Sequence, residues 1–240
     1  MQNLEGRSLM QTLEGKIALI TGAKGGLGSH VTEAFLAAGA QVVGSSRSIQ
    51  SSDFSSPRFT AMAAELTSGA AARKLVDGVV ARFERIDALV HVMGGFAGGK
   101  SVAETDDATL ETMLDLNYRA AFFLARAVVP HMRRQGSGRI LAVASRQAVE
   151  AMAGTGAYNA SKAALVALVR TIALENKDRC IAANTILPGT MDTPGNRTGD
   201  AAAGADWVKP AQVAALLVHL ASDAGAQITG AAIPVYGRQV

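Results

Sequence analysis

At 240 residues, with 49% hydrophobic and 18% charged residues, the chain has ample material for a sizeable core in one α/β domain or two small ones, which excludes a disordered chain. The formal net charge of +3 is small, no Lys/Arg cluster interleaves with aromatics, and no run reaches the roughly eighteen apolar residues of a membrane span, so neither nucleic acid nor a membrane is an expected partner. One cysteine, Cys180, excludes an intrachain disulfide and suits a small apolar position at a strand start; with no apolar signal segment in MQNLEGRSLMQTLEGK, a cytoplasmic location is expected.

Residues 1–13 are polar without periodicity and read as a tail, leaving 14–240 as one domain. Lys16–Thr21 (KIALIT) is a β-rich apolar run, followed at once by GAKGGLG and an amphipathic helical pattern that ends at Gly39. Strand, glycine turn and helix in that order open a dinucleotide-binding unit. Gly22 permits the tight turn, Gly26 a close approach of backbone to pyrophosphate, and Gly28 close packing of helix on strand. Gln41–Ser46 reads as a second strand, and its end decides the cofactor. An acid there would bind the ribose diol, whereas Ser46 and Arg47, with Lys24 in the glycine turn, suit the 2′-phosphate of NADP; NAD is the alternative.

The segment SIQSSDFSSP is too short for a normal crossover helix before the strand Arg58–Ala63, so the helix is expected to be missing or reduced to a turn. Glu65 and Leu66 end that strand, where an adenine would lie. Then come a helix (Ala70–Glu84), a strand (Ile86–Gly95) and a long helical pattern (Asp106–Arg134) in which Pro130 should kink or loosen the last turn. A strand at Arg139–Ala144, a helix at Tyr158–Glu175 and a strand at Ile181–Leu187 follow. The chain closes with an irregular stretch (Pro188–Lys209), a helix opened by proline (Pro210–Ser222) and a strand (Ala231–Val235). Such alternation predicts a doubly wound parallel sheet of about seven strands with helices on both faces.

The richest stretch is Ser145–Lys162. Ser145 ends a strand, and if Tyr158 opens a helix, Lys162 is its i+4 neighbour on the same face. Hydroxyl, phenol and ammonium are then together, as carbonyl reduction requires: an acid for the oxygen, a second donor to hold it, and a cation that eases ionisation of the acid. A free phenol titrates near pH 10; lowering it by about three units takes about 4 kcal/mol of phenolate stabilisation. The lysine ammonium and an oxidised nicotinamide are the expected sources.

Taken together, these residues resemble the short-chain dehydrogenase/reductase family from about Gly15 to the C-terminus. The resemblance rests on Thr21, Gly22, Gly26 and Gly28, on Asn117, on Ser145, Tyr158 and Lys162, and on Pro188, Gly189 and Thr193. It implies that Tyr158 is the acid or base, Ser145 holds the substrate oxygen, and Lys162 binds the nicotinamide ribose and lowers the tyrosine pKa. It implies that Asn117 supports a proton-carrying water chain and that Thr193 reaches the nicotinamide carboxamide. Leu27, Gly94 and Thr190 complete the expected cofactor contacts, and no metal is expected. It also implies a homo-oligomer in which the helices Asp106–Arg134 and Tyr158–Glu175 pair across a two-fold axis, giving a dimer or a tetramer.

One departure stands out. The family's Asn-Asn-Ala-Gly is here His91, Val92, Met93, Gly94, and His91 is either a proton carrier or ligand or a packed structural histidine. A narrower similarity, to dihydropteridine reductase, rests on the missing helix, on GGFAGG (Gly94–Gly99), on LPGTMDTPGNR (Leu187–Arg197) and on Ala205–Trp207. That likeness implies pterin reduction with NADH and no counterpart of Ser145, so Ser145, Ser46 and Arg47 favour a carbonyl reductase using NADPH. A non-catalytic dinucleotide-binding regulator is the alternative of another class; such a protein would be expected to lose the tyrosine or the lysine.

Overall fold

Every strand of the sheet runs parallel, in the order β3-β2-β1-β4-β5-β6-β7, in the computed structural model, which describes residues 12–197 and 206–239. The strands are β1 (Ile17–Thr21), β2 (Gln41–Ser45), β3 (Phe59–Ala61), β4 (Ala88–His91), β5 (Gly138–Val143), β6 (Ile181–Pro188) and β7 (Ala232–Val235). The helices are α1 (Gly28–Ala37), α2 (Gly69–Phe83), α3 (Asp107–Leu114), α4 (Ala120–Gln135), α5 (Gly156–Glu175) and α6 (Pro210–Ala221).

The central strands are apolar almost throughout because both faces are covered. Alternate residues feed two separate cores. Ala18, Ile20, Val42, Val90, Leu141 and Val143 face the layer of α1 and α6, while Leu19, Val43, Leu89, Ile140 and Ala142 face that of α2, α4 and α5. Burying each Val, Leu or Ile stabilises the fold by about 1.5–3 kcal/mol. Parallel pairing of β1 with both β2 and β4 makes the strand order reverse at β1. The crevice beyond the carboxyl ends of β1 and β4 is where this architecture binds ligands.

The helix before β3 is absent as expected, replaced by one 3-10 turn at Ser51–Asp53. Other expectations need correction. β3 ends at Ala61 and β4 at His91, so Glu65, Leu66 and Gly94 lie in loops beyond the strands. Asp106–Arg134 is not one helix: α3 gives way to a π-helical turn at Asp115–Arg119 before α4 begins. α4 runs through Pro130 to Gln135 and stops at Gly136 in the left-handed region (φ 69°). Leu13, placed in the tail, is 1% exposed and its N–H bonds the carbonyl of Ala38, closing the end of α1; residues 1–11 lie outside the described residues. Cys180 is exposed, one residue before β6.

Candidate active site

The glycine turn is shaped by contacts no side chain could share. Gly22 has φ +70°, and a Cβ there would lie 2.7 Å from the backbone nitrogen of Met93; one on Gly28 would lie 1.9 Å from the carbonyl oxygen of Gly22. The turn therefore folds tightly against the end of β4 and delivers Leu27 and Gly28 to the start of α1. That start carries no side-chain cap and no acid in its first turn, which leaves its amides for an anion. Gly26 faces the opposite wall, where a Cβ would stand 3.1 Å from the Cβ of Thr193.

Two cavities meet beside it. A cleft of about 780 Å³ is lined by Gly26, Leu27, Ser145, Tyr158, Lys162 and Thr193, with Pro188, Gly189 and Thr190 also at its wall. A second cavity of about 220 Å³ is lined by Gly22, Ser45, Ser46, Arg47, Glu65 and Leu66. Gly94 belongs to both. A Cβ at Gly94 would lie 2.7 Å from Asn117 Oδ1 and 3.0 Å from Lys162 Nζ, so glycine is needed where the two spaces join.

Ser145 follows β5 and opens a short 3-10 turn, its Oγ accepting from the N–H of Gln147 at 3.2 Å. Tyr158 is the third residue of α5 rather than its first, because the helix begins at Gly156. The i+4 relation to Lys162 is unchanged. The Tyr158 and Ser145 side chains line the same wall of the larger cleft. The Phe96 ring stands edge-on to the Tyr158 ring with centroids 5.0 Å apart, and Phe96 is 65% exposed at the mouth of the cleft.

Electrostatically the site departs from the expected picture. Burial pushes the Tyr158 phenol above its ordinary value, with the neighbouring Ser145 hydroxyl acting the other way. The Lys162 ammonium donates to the carbonyl of Val143 at 3.0 Å and lies 5.9 Å from the tyrosine ring centroid. Burial holds Lys162 down to about 8. The protein alone thus keeps the phenol protonated.

Asn117 sits in the π-helical turn, where the bond from Ala120 N–H to the Asp115 carbonyl spans one residue more than an α-turn. The extra residue turns Asn117 inward to complete burial. Its amide nitrogen donates to the Gly95 carbonyl and to Ser161 Oγ, both at 3.0 Å, and its oxygen accepts from Gly95 N–H at 2.9 Å. The side chain fastens the loop after β4 to α5, with both amide hydrogens donated and one bond accepted by its oxygen. His91, 2% exposed, pairs through Nδ1 with Thr21 Oγ1 at 2.9 Å, leaving Nε2 buried without a partner. Burial, reinforced by nearby Lys162, holds it down to about 3, so the imidazole is neutral.

Ser45 and Ser46 carry buried hydroxyl oxygens with no hydrogen-bond partner, both lining the smaller cavity. Arg47 is exposed on its rim. Lys24 is paired instead: its ammonium is 2.8 Å from Asp53 Oδ1 and 3.4 Å from the carbonyl of Ser48. Unpaired hydroxyls beside a cation and a glycine-walled cleft fit a dinucleotide.

Sequence reasoning missed the C-terminal wall. Gln239 Oε1 accepts from Thr190 N–H at 2.9 Å and its Nε2 donates to the Thr190 carbonyl at 2.9 Å. Arg146 lies over the Tyr236 ring at 4.8 Å and donates to the Gln239 carbonyl. Nothing in residues 236–239 marks this, since the contacts join segments far apart in the chain. Of the stretch behind the narrower likeness, Ala205 lies outside the described residues. Among the described residues no group of His, Cys, Asp and Glu could hold a metal ion, and no helix is long and apolar enough to cross a membrane.

Comparison with known proteins agrees with this geometry. The family model for short chain dehydrogenases matches residues 16–203. The 3-oxoacyl-[acyl-carrier-protein] reductase of Salmonella typhimurium is 29% identical over 239 residues, covering 94% of this chain and 98% of the relative. D-threitol dehydrogenase of Mycolicibacterium smegmatis is 30% identical over 245 residues, covering 94% and 93%. In fold, a short-chain type dehydrogenase/reductase from Mycobacterium ulcerans superposes with a TM-score of 0.87 at 24% identity, covering 95% of this chain and 90% of that one. A seven-stranded parallel sheet, a glycine turn at its switch point, a serine, tyrosine and lysine in one cleft and a family match over most of the length lead to one conclusion: the chain belongs to the short-chain dehydrogenase/reductase family of oxidoreductases.

Proposed function

We propose that this oxidoreductase reduces a carbonyl substrate with NADPH and that Tyr158 supplies the proton. The observation that carries the reading is that Ser145, Tyr158 and Lys162 line one cleft, with Tyr158 and Lys162 one helical turn apart on α5. Gly22, Gly26, Leu27 and Gly28 would hold the pyrophosphate, Ser46 and Arg47 the 2′-phosphate, and Glu65 and Leu66 the adenine. Gly94, Pro188, Gly189, Thr190 and Thr193 would border the nicotinamide, with Tyr158 and Lys162 at its ribose. Bound NADPH supplies the hydride and, once oxidised, a positive charge.

The residues divide the remaining work. Ser145 Oγ donates to the carbonyl oxygen of the substrate and fixes it beside the phenol. Because burial raises the phenol pKa, Tyr158 arrives protonated and acts as an acid. The ammonium of Lys162, protonated below about pH 8, steadies the phenolate left behind. His91, neutral and tied to Thr21, is a structural neighbour of Lys162 rather than a proton carrier at neutral pH.

Loss of NADPH and NADH absorbance against ketones, quinones and a quinonoid pterin tests the reading. Turnover of ketones with NADPH is expected; turnover of the pterin alone, with NADH, would replace carbonyl reduction by the pterin alternative, and no turnover of any would favour the regulator. Ser145 supports the first outcome, since the pterin likeness implies no such residue.

Assembly belongs to the same reading. On α5, Ala160, Ala163 and Ala167 are exposed at helical spacing, and Phe122 on α4 is 37% exposed beneath Arg126. Small outward residues let helix axes approach closely, so a symmetric dimer or tetramer is expected. Light scattering that gives a fully active 24.7 kDa monomer at micromolar concentration would contradict it.

A further inference from the structure

The link from β2 to β3 has lost its helix, and what remains bends back over the glycine turn. Its 3-10 turn is held by a reciprocal box in which the Gln50 N–H donates to Asp53 Oδ2 at 2.8 Å. That bond aims the other carboxylate oxygen, Oδ1, at Lys24, 2.8 Å away. The carboxylate is only 18% exposed, and the Lys24 ammonium also reaches the carbonyl of Ser48, one residue past Arg47. A normal crossover helix would have carried this segment away from the glycine turn.

The two cations near this end of the glycine turn, Arg47 and Lys24, are therefore in different states relative to the cavity that holds the unpaired Ser45 and Ser46 hydroxyls. Arg47 lines the cavity; Lys24 does not, and is engaged by an acid. The other charged residues on the cavity wall are Glu65 and Asp115, both exposed. A dianionic 2′-phosphate arriving there meets Arg47 directly and must compete with Asp53 for Lys24. The carboxylate also repels the phosphate, so both effects have one sign.

We propose that Asp53 is a specificity-determining residue: by holding Lys24 it leaves Arg47 to read the 2′-phosphate and limits the preference of the enzyme for NADPH over NADH. The inference rests on the NADPH reading above. It makes this chain's cofactor choice a product of its missing helix, and it gives the truncated link a function.

Fluorescence titration of NADPH and NADH into wild type, Asp53→Asn, Lys24→Met and the double variant tests it. Asparagine can still accept from Gln50 N–H, so the turn should persist. Asp53→Asn should tighten NADPH by about three- to fivefold, the scale of a partly exposed ion pair, and leave NADH within about twofold. Lys24→Met should change NADPH by less than about twofold, and the double variant should lose the gain. The NADPH-to-NADH ratio of wild type judges the cofactor reading; the change in that ratio on Asp53→Asn judges the role of Asp53. An unchanged or lower ratio in Asp53→Asn, or a gain that survives in the double variant, would overturn the inference. Should Asp53→Asn lose its cooperative melt, Lys24→Met decides: a tenfold loss of NADPH affinity would mean that Lys24 already serves the phosphate, and the inference falls.

Discussion

The two ends of the cleft treat their buried polar groups in opposite ways. Where β4, the π-helical turn and α5 meet, the Asn117 amide is satisfied on every side, Ser161 accepts from it and donates to the Tyr158 carbonyl, and Lys162 donates to Val143. At the end of β2 the Ser45 and Ser46 hydroxyls have no protein partner. A buried hydroxyl without a partner costs about 1–3 kcal/mol. His91 Nε2 apart, the first end is finished by the fold itself, and the second is left open to a ligand. Substitutions at the first end should therefore damage the protein or its chemistry, and substitutions at the second should change cofactor affinity.

The largest effect is expected from Asn117→Ala. It strands the N–H and carbonyl of Gly95 and removes a donor from Ser161, so the loss should be about 2–4 kcal/mol. For a chain of this size that lowers the melting temperature by roughly 5–15 °C. Thermal melts check it, and a variant as stable as wild type would mean that the finished end is not finished by this side chain.

Arg47→Asp is the matching change at the unfinished end. A carboxylate on the rim of the cavity should weaken NADPH by more than about tenfold, equivalent to about 1.4 kcal/mol, and NADH far less, with no change in melting. Titration of both cofactors decides. Wild type binding NADH more tightly than NADPH would remove the basis of the expectation.

His91 gives a pH-dependent version of the comparison. Its folded value, about 3, lies below the 6.5 of a free imidazole because burial disfavours the charged ring. Between those values the unfolded chain binds more protons than the folded one. Stability is therefore fully present above about 6.5 and lost as pH falls toward about 3, by up to about 1.4 kcal/mol per pH unit. His91→Gln should flatten melting temperature against pH between 6 and 4; parallel curves for wild type and variant would contradict it.

Much of the chemistry was legible because it is local. Gly22 and Gly28 announce a turn, Tyr158 and Lys162 are one helical turn apart, and the short Ser48–Pro57 segment leaves no room for a helix. The site that depends on distant packing was not legible. Periodicity ran straight through Asp115–Arg119 because a π-helical turn adds one residue to a register that apolar spacing alone does not resolve. Lys24 reads as a free cation until Asp53 is folded onto it. That the Lys162 ammonium also donates to the Val143 carbonyl was not legible either, since nineteen residues separate the two. Leu13 was lost to the tail because a single buried leucine has no periodicity to mark it.

The central claim is that Tyr158 gives the proton while most of the hold on the cofactor comes from other residues. The direct measurement is Tyr158→Phe, with turnover and NADPH affinity determined on the same preparation. The ring, its edge contact with Phe96 and the helix are retained; only the donor is removed. Turnover should fall by about a hundredfold or more, with the dissociation constant for NADPH within about twofold of wild type. A phenylalanine variant that keeps more than about a tenth of the wild-type rate would show that the proton comes from another group.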